Sequence, residues 1–174
     1  AGKLPVPLAA LEAGIRRARL PGRLQVLSLA GRTLVCDVAH NAHGMRFLRR
    51  QLQARGLLHD GQPVRLVFSM LADKDIAAVV AEIAPWVSHW DIAELHTPRA
   101  ATQAQLLQAL AGQSVQVHAD LQAALHHALD CSPPGGTVVA CGSFHVLEAL
   151  QPALSASHHD TNSNQLMGGV GNTT

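Results

Sequence analysis

The sequence predicts an α/β fold of the Rossmann-like, doubly wound kind: a mostly parallel but mixed sheet of about six strands with helices on both faces. Three observations carry this. Short apolar runs recur, as at residues 64–70 and 137–141, in the manner of strands buried on both faces. Between such runs lie segments whose apolar residues repeat with the helical period. The two patterns alternate along the chain, and parallel strands need such helical crossovers.

The elements follow in order. Pro7 opens a first helix with Leu8, Leu11, Ile15 and Ala18 on one face, closing near Leu20 before Pro21 and Gly22. Residues 23–29 alternate like a strand, 30–32 turn, and 33–36 form a second strand, so this pair reads as a hairpin and makes the sheet mixed. A helix from about His43 to Arg55 stops at Gly56. A buried strand at 64–70 precedes a helix from Asp75 to about Ala84. A weaker strand at 89–95 leads through Thr97, Pro98 and Arg99 to a helix that Thr102 caps and that ends at Leu110, before Gly112. A short strand at 114–117 is followed by a helix from Asp120 to near Asp130. The last strand, 137–141, passes through Gly142 and Ser143 into a helix ending near Leu154. From Ser155 onward Ser, His, Asn, Gly and Thr dominate, and a disordered tail is expected over 155–174. The expected organisation is therefore a linker helix within 1–22, one domain over 23–154, and the tail.

Composition narrows the function. The 174 residues are 48% hydrophobic and 14% charged, with a net charge of +1 and no basic block, which argues against nucleic acid as a partner. No apolar stretch is long enough for a membrane span, and the start lacks the layout of a signal peptide. Cys36, Cys131 and Cys141 have no C-x-x-C spacing. Two of them lie in strand-like runs, so free thiols in a reducing cytoplasm are expected. There are 11 histidines, and His40 and His43 stand three apart. No cysteine–histidine cluster has zinc-like spacing, so no metal site is expected, and His89, His96 and His118 read as ordinary strand or turn residues.

Three strand ends carry polar residues that a parallel sheet would bring to one edge. Asp37, His40 and Asn41 follow the second strand, Asp73, Lys74 and Asp75 follow the third, and Gly142, Ser143 and His145 follow the last. Asp37 can take a cation or ribose hydroxyls, and the N–H groups of the next helix can meet an anion. Asp37 and Asn41 can equally serve as helix caps, and Lys74 as a solvated lysine. No G-x-x-x-x-G-K-[ST] phosphate loop and no nucleophile elbow accompany them, so a self-sufficient enzyme is hard to build from this chain.

The ordered set Leu20-Pro21-Gly22-Arg23, Asp37-Val38-Ala39-His40-Asn41, Met70-Leu71-Ala72-Asp73-Lys74-Asp75, Pro98-Arg99-Ala100 and Gly142-Ser143-Phe144-His145 resembles the C-terminal domain of bacterial folylpolyglutamate synthase/dihydrofolate synthases, in the Mur ligase superfamily. The resemblance runs from Pro7 to Leu154 and departs at Ala42, where the family usually has proline. It implies a cytoplasmic, monomeric ATP-dependent amide ligase that adds L-glutamate to a folate or pteroate acceptor, with ATP and Mg2+ held largely by a preceding domain. By the same resemblance Arg23 and Asp37 are ATP contacts, His40 and Ser143 glutamate-side or closure contacts, and Asn41, Lys74 and His145 secondary candidates. Two other readings stay open: a ligase of another Mur branch, which usually carries D-N-P-R where this chain has His40-Asn41-Ala42-His43, and a non-catalytic doubly wound binding module.

Overall fold

A computed structural model describes residues 23–59 and 61–163. The helix expected over 7–20 and the tail beyond residue 163 lie outside the described residues. Within them, chain order is β1 (Gln25–Leu29), β2 (Arg32–Cys36), α1 (Ala42–Ala54), β3 (Val64–Phe68), α2 (Ile76–Ile83), β4 (His89–Ile92), α3 (Gln103–Ala109), β5 (Val115–Val117), α4 (Leu121–Asp130), β6 (Thr137–Cys141) and α5 (Phe144–Ser163).

The six strands form one sheet in the order β1-β2-β6-β3-β4-β5. Only the β1–β2 pair is antiparallel. Its two-residue loop places Ala30 at φ 49° and Gly31 at φ 71°, the left-handed pair that matches the twist of a tight hairpin. The last strand inserts between β2 and β3, so the helices divide. α1, α2 and α3 cover one face through Met45, Leu48, Leu52, Val79, Ile83 and Leu106. α4 and α5 cover the other through Leu121, Ala124, Leu125, Val146 and Leu150. Period-2 alternation sorts the strands accordingly: Leu66, Phe68, Trp90 and Ile92 enter the first core, while Val67 and Ala93 enter the second. Phe68 and Trp90 meet edge to face, with ring centroids 5.3 Å apart.

Some element ends differ from expectation. β4 stops at Ile92 instead of residue 95, because its partner β5 ends at Val117 and the His118 N–H bond to the Ile92 carbonyl closes the ladder. β3 stops at Phe68, and the Met70 carbonyl accepts from the Ala101 N–H instead of from a strand. α5 runs to Ser163, nine residues beyond Leu154 and into the segment expected as a disordered tail. A polar composition removes the apolar stripe, yet it does not stop a helix already nucleated, and here the helix also carries Pro152 through its interior. No described helix is long and apolar enough to cross a membrane.

Candidate functional site

β6 is the hinge of the site, because its neighbours β2 and β3 run parallel to it and all three end at the same edge. Backbone hydrogen bonds then tie the loops together. The Asp37 N–H donates to the Ala140 carbonyl at 3.0 Å, and the Gly142 N–H donates to the Ala39 carbonyl at 3.0 Å. Gly142 has φ 110°, and a β-carbon there would lie 2.4 Å from the Ser69 carbonyl oxygen. Only glycine lets the loop after β6 press against the end of β3 in this conformation. The sequence-predicted juxtaposition of Asp37 with Ser143 is therefore present, since each lies within a residue of these links.

Asp37 is half-buried, and both of its oxygens are already engaged. Oδ2 accepts from the Leu24 N–H at 2.8 Å, and Oδ1 accepts from the Ala39 N–H at 2.7 Å. Burial pushes its carboxyl above the usual 3.8, against the opposing pull of those two N–H groups and of the Arg23 charge. The bond to Leu24, which holds φ 46°, fixes the backbone beside Arg23 at this edge of the sheet. Asp37 thus anchors the loop and retains one lone pair per oxygen for a ligand hydroxyl. Next to it, burial raises the Cys36 thiol to about 12, and burial also raises Cys141 well above its usual value, so both stay protonated and inert.

His40 is exposed, and its Nδ1 lies 2.8 Å from the Val38 carbonyl oxygen. A carbonyl only accepts, so Nδ1 carries the proton and Nε2 faces outward. Asn41 is the N-cap of α1: its Oδ1 accepts from the Gly44 N–H at 2.8 Å. The helix begins at Ala42 without the family's proline because this cap suffices. Asn41 therefore takes the capping role, with its amide NH2 left to point elsewhere.

At the β3 end, Lys74 Nζ pairs with Asp73 Oδ2 at 3.3 Å, and Arg99 Nη2 reaches the same oxygen at 2.9 Å. Burial opposes the Asp73 charge, but Lys74 and Arg99 outweigh it and hold that carboxyl below its usual value. Asp75 caps α2 through the Ala78 N–H. Lys74 is thus a paired lysine in a turn, bound to a neighbouring acid. Ser143 is buried and its Oγ accepts from the His145 N–H at 3.2 Å, which orients the start of α5 and leaves the hydroxyl hydrogen to donate. His145 turns away: its Nδ1 lies 2.6 Å from Glu148 Oε2, and with Glu94, His96, Asp120 and Glu148 it lines a cavity of about 440 Å3 in which none of Arg23, Asp37, His40 or Asn41 takes part.

The structure therefore brings the segments that carry Arg23, Asp37, His40, Asn41 and Ser143 to one edge of the sheet, sets Lys74 in an ion-paired turn, and directs His145 into a separate acidic cavity. Sequence reasoning missed Ser69, whose fully buried hydroxyl at the β3 end has no partner among the described residues. It also missed Arg99 as a second cation on Asp73, beside Lys74. Neither residue sits in a periodic pattern that would single it out.

Known proteins fit this geometry. The family described as "Mur ligase, glutamate ligase domain" matches residues 22–144. The dihydrofolate synthase/folylpolyglutamate synthase of Escherichia coli (strain K12) is 38% identical over 157 residues, covering 90% of this chain and 36% of that protein. Among solved structures, the bifunctional folylpolyglutamate synthase/dihydrofolate synthase of Yersinia pestis CO92 superposes with a TM-score of 0.75 at 36% identity, over 88% of this chain and 36% of that one. The Escherichia coli enzyme in complex with DHPP and ADP superposes with a TM-score of 0.77 at 35% identity, over 88% of this chain and 36% of its own. The chain thus spans about a third of the length of these relatives. With the fold and the match over most of its length in agreement, the chain belongs to the Mur ligase glutamate ligase domain family.

Proposed function

We propose that residues 23–154 are the C-terminal domain of an ATP-dependent amide ligase that joins L-glutamate to dihydropteroate, to tetrahydrofolate or to both. The observation that carries this reading is the convergence of Arg23, Asp37, His40 and Ser143 on one sheet edge, with Asp37, His40 and Ser143 each bonded to backbone and Arg23 next to Leu24, whose N–H donates to Asp37. Two relatives support it by what they hold: a folylpolyglutamate synthase/dihydrofolate synthase structure contains Mn, AMPPNP and L-glutamate, and another contains DHPP and ADP. The similarity to these folate enzymes also favours this branch over a cell-wall ligase and over a non-catalytic binding module.

In this reading the roles follow from the chemistry of the side chains. Arg23, a planar cation at the crevice mouth, meets phosphate or a base face. Asp37 offers its free lone pairs to ribose hydroxyls. His40, locked at Nδ1, presents Nε2 toward glutamate, and the Ser143 hydroxyl donates to the same ligand. Glutamate's amine attacks an acyl phosphate of the acceptor carboxylate; the C–N bond forms, phosphate leaves and the amine loses a proton. The domain's part is to hold the amine against that carbonyl and to exclude water. In this reading the Mg2+ that accompanies ATP is held mainly by the rest of a longer protein, which acts in the cytoplasm as a monomer. The test is ADP release by the full-length protein. Release that requires both L-glutamate and dihydropteroate or tetrahydrofolate supports the reading; release that ignores either one overturns it.

A further inference from the structure

On the α4 side of the sheet, away from the crevice loops, a second polar group converges on Asp91. This residue is fully buried in β4. Arg65, on the neighbouring β3, holds it from one side, with Nε 3.0 Å from Oδ2 and Nη2 3.2 Å from Oδ1. His118, just past β5, sets Nε2 at 2.9 Å from Oδ1, and His127, in the last turn of α4, sets Nδ1 at 2.6 Å from that same oxygen and 3.3 Å from Arg65 Nη2. The two imidazole rings tilt by 50° with centroids 4.8 Å apart. Three donors thus crowd one oxygen that has two lone pairs. If each imidazole instead turns a lone pair inward, an ion between them and Oδ1 relieves the crowding.

We propose that Asp91, His118 and His127 bind one divalent transition-metal ion of the zinc or cobalt class. The three ligand atoms lie within 4.8 Å of one another. A tetrahedral ion with bonds of about 2.0 to 2.1 Å separates its ligands by roughly 3.3 Å, so rotations that move each ring by under about 1 Å admit it. Ring orientation fits as well. With Nδ1 of His127 on the ion, its Nε2 carries the hydrogen, and that atom lies 3.6 Å from Cys131 Sγ, an acceptor that steadies the ring. The His127 side chain is 40% exposed, which leaves a path and an open position for water.

Arg65 sets the selectivity. Its charge neutralises much of the Asp91 carboxylate, so a cation gains little from simple attraction. Mg2+ and Ca2+, which depend on charge and oxygen ligands, are disfavoured, whereas ions that bond directionally to imidazole retain their main contribution. The ligands come from β4, the β5–α4 turn and α4, at separations that match no zinc motif, which is why the sequence reading expected no site.

The test uses the full-length protein stripped by a chelator, then titrated with Zn2+ by calorimetry and with Co2+ by visible absorption, in millimolar Mg2+. One ion per chain is expected, with a Co2+ ligand-field band. A His118→Gln/His127→Gln variant is expected to lose the band and to weaken Zn2+ binding by more than about tenfold, while His126→Gln, on the exposed neighbour, leaves both unchanged. Should the double variant fail to fold, His127→Ala alone, at a part-exposed position, is expected to show the same losses. Equal Zn2+ affinity in the wild type and these variants, or no binding in the wild type, overturns the proposal and leaves the group as an ion-pair network.

Discussion

Asp37 is the residue on which the crevice turns, and its titration reports the balance of forces there. Burial favours the neutral carboxyl, and the Leu24 and Ala39 N–H groups and Arg23 favour the charged one. Burial wins, so the folded value lies above 3.8 while the unfolded value stays near it. In that interval the unfolded state has already lost its proton. The contribution of Asp37 to stability is therefore complete below pH 3.8 and declines as pH rises through the folded value. A carboxyl-carbon NMR titration should give a midpoint above 3.8, and Arg23→Ala should raise it further, because it removes an opposing charge. A midpoint at or below 3.8 would contradict the burial account. Gly142 is the second decisive residue. Gly142→Ala places a β-carbon against the Ser69 carbonyl at φ 110° and should cost at least about 2 kcal/mol in chemical denaturation. An unchanged midpoint would mean that the loop after β6 is free to move off β3.

Caps and strand ends show what was legible at the scale of elements. Asn41, Asp75, Thr102 and Asp120 each accept a backbone N–H at the start of a helix, and all four helix starts were readable because Asn, Asp and Thr satisfy orphan donors there. The first strand was readable from its alternation, the others from short apolar runs, and the hairpin from its turn. Strand ends were not, because a partner's length decides them: β4 could extend only as far as β5 pairs with it. The capping role also separates two adjacent candidates. Asn41→Ala should destabilise by about 1 kcal/mol through loss of the Gly44 bond, whereas His40→Ala, on an exposed ring, should leave the thermal midpoint unchanged. Equal losses for the two variants would place His40 in the structure of the loop instead of at its surface.

For the whole molecule, the order β1-β2-β6-β3-β4-β5 is what brings three distant loops to one edge of the sheet. Parallel strands and their shared edge were foreseeable from alternation of elements. The insertion of β6 between β2 and β3 was not, since it depends on which faces α4 and α5 cover. The Asp91 group escaped for the same reason: only the packing of α4 over β3 and β4 brings His127 to it. The 174-residue chain on its own is expected to bind ATP more weakly than about 1 μM, because that affinity needs roughly 8 kcal/mol and the crevice offers few charged contacts. Calorimetry that finds tighter binding would show that the crevice holds the nucleotide unaided. The most direct measurement is steady-state kinetics of the full-length protein with His40→Ala and Ser143→Ala. Each variant should keep the wild-type fold and lose about ten- to a hundredfold in kcat/KM for L-glutamate, the worth of one charge-assisted contact of roughly 1.5 to 3 kcal/mol. Folded variants with wild-type constants for glutamate would contradict the assignment of this crevice to glutamate ligation.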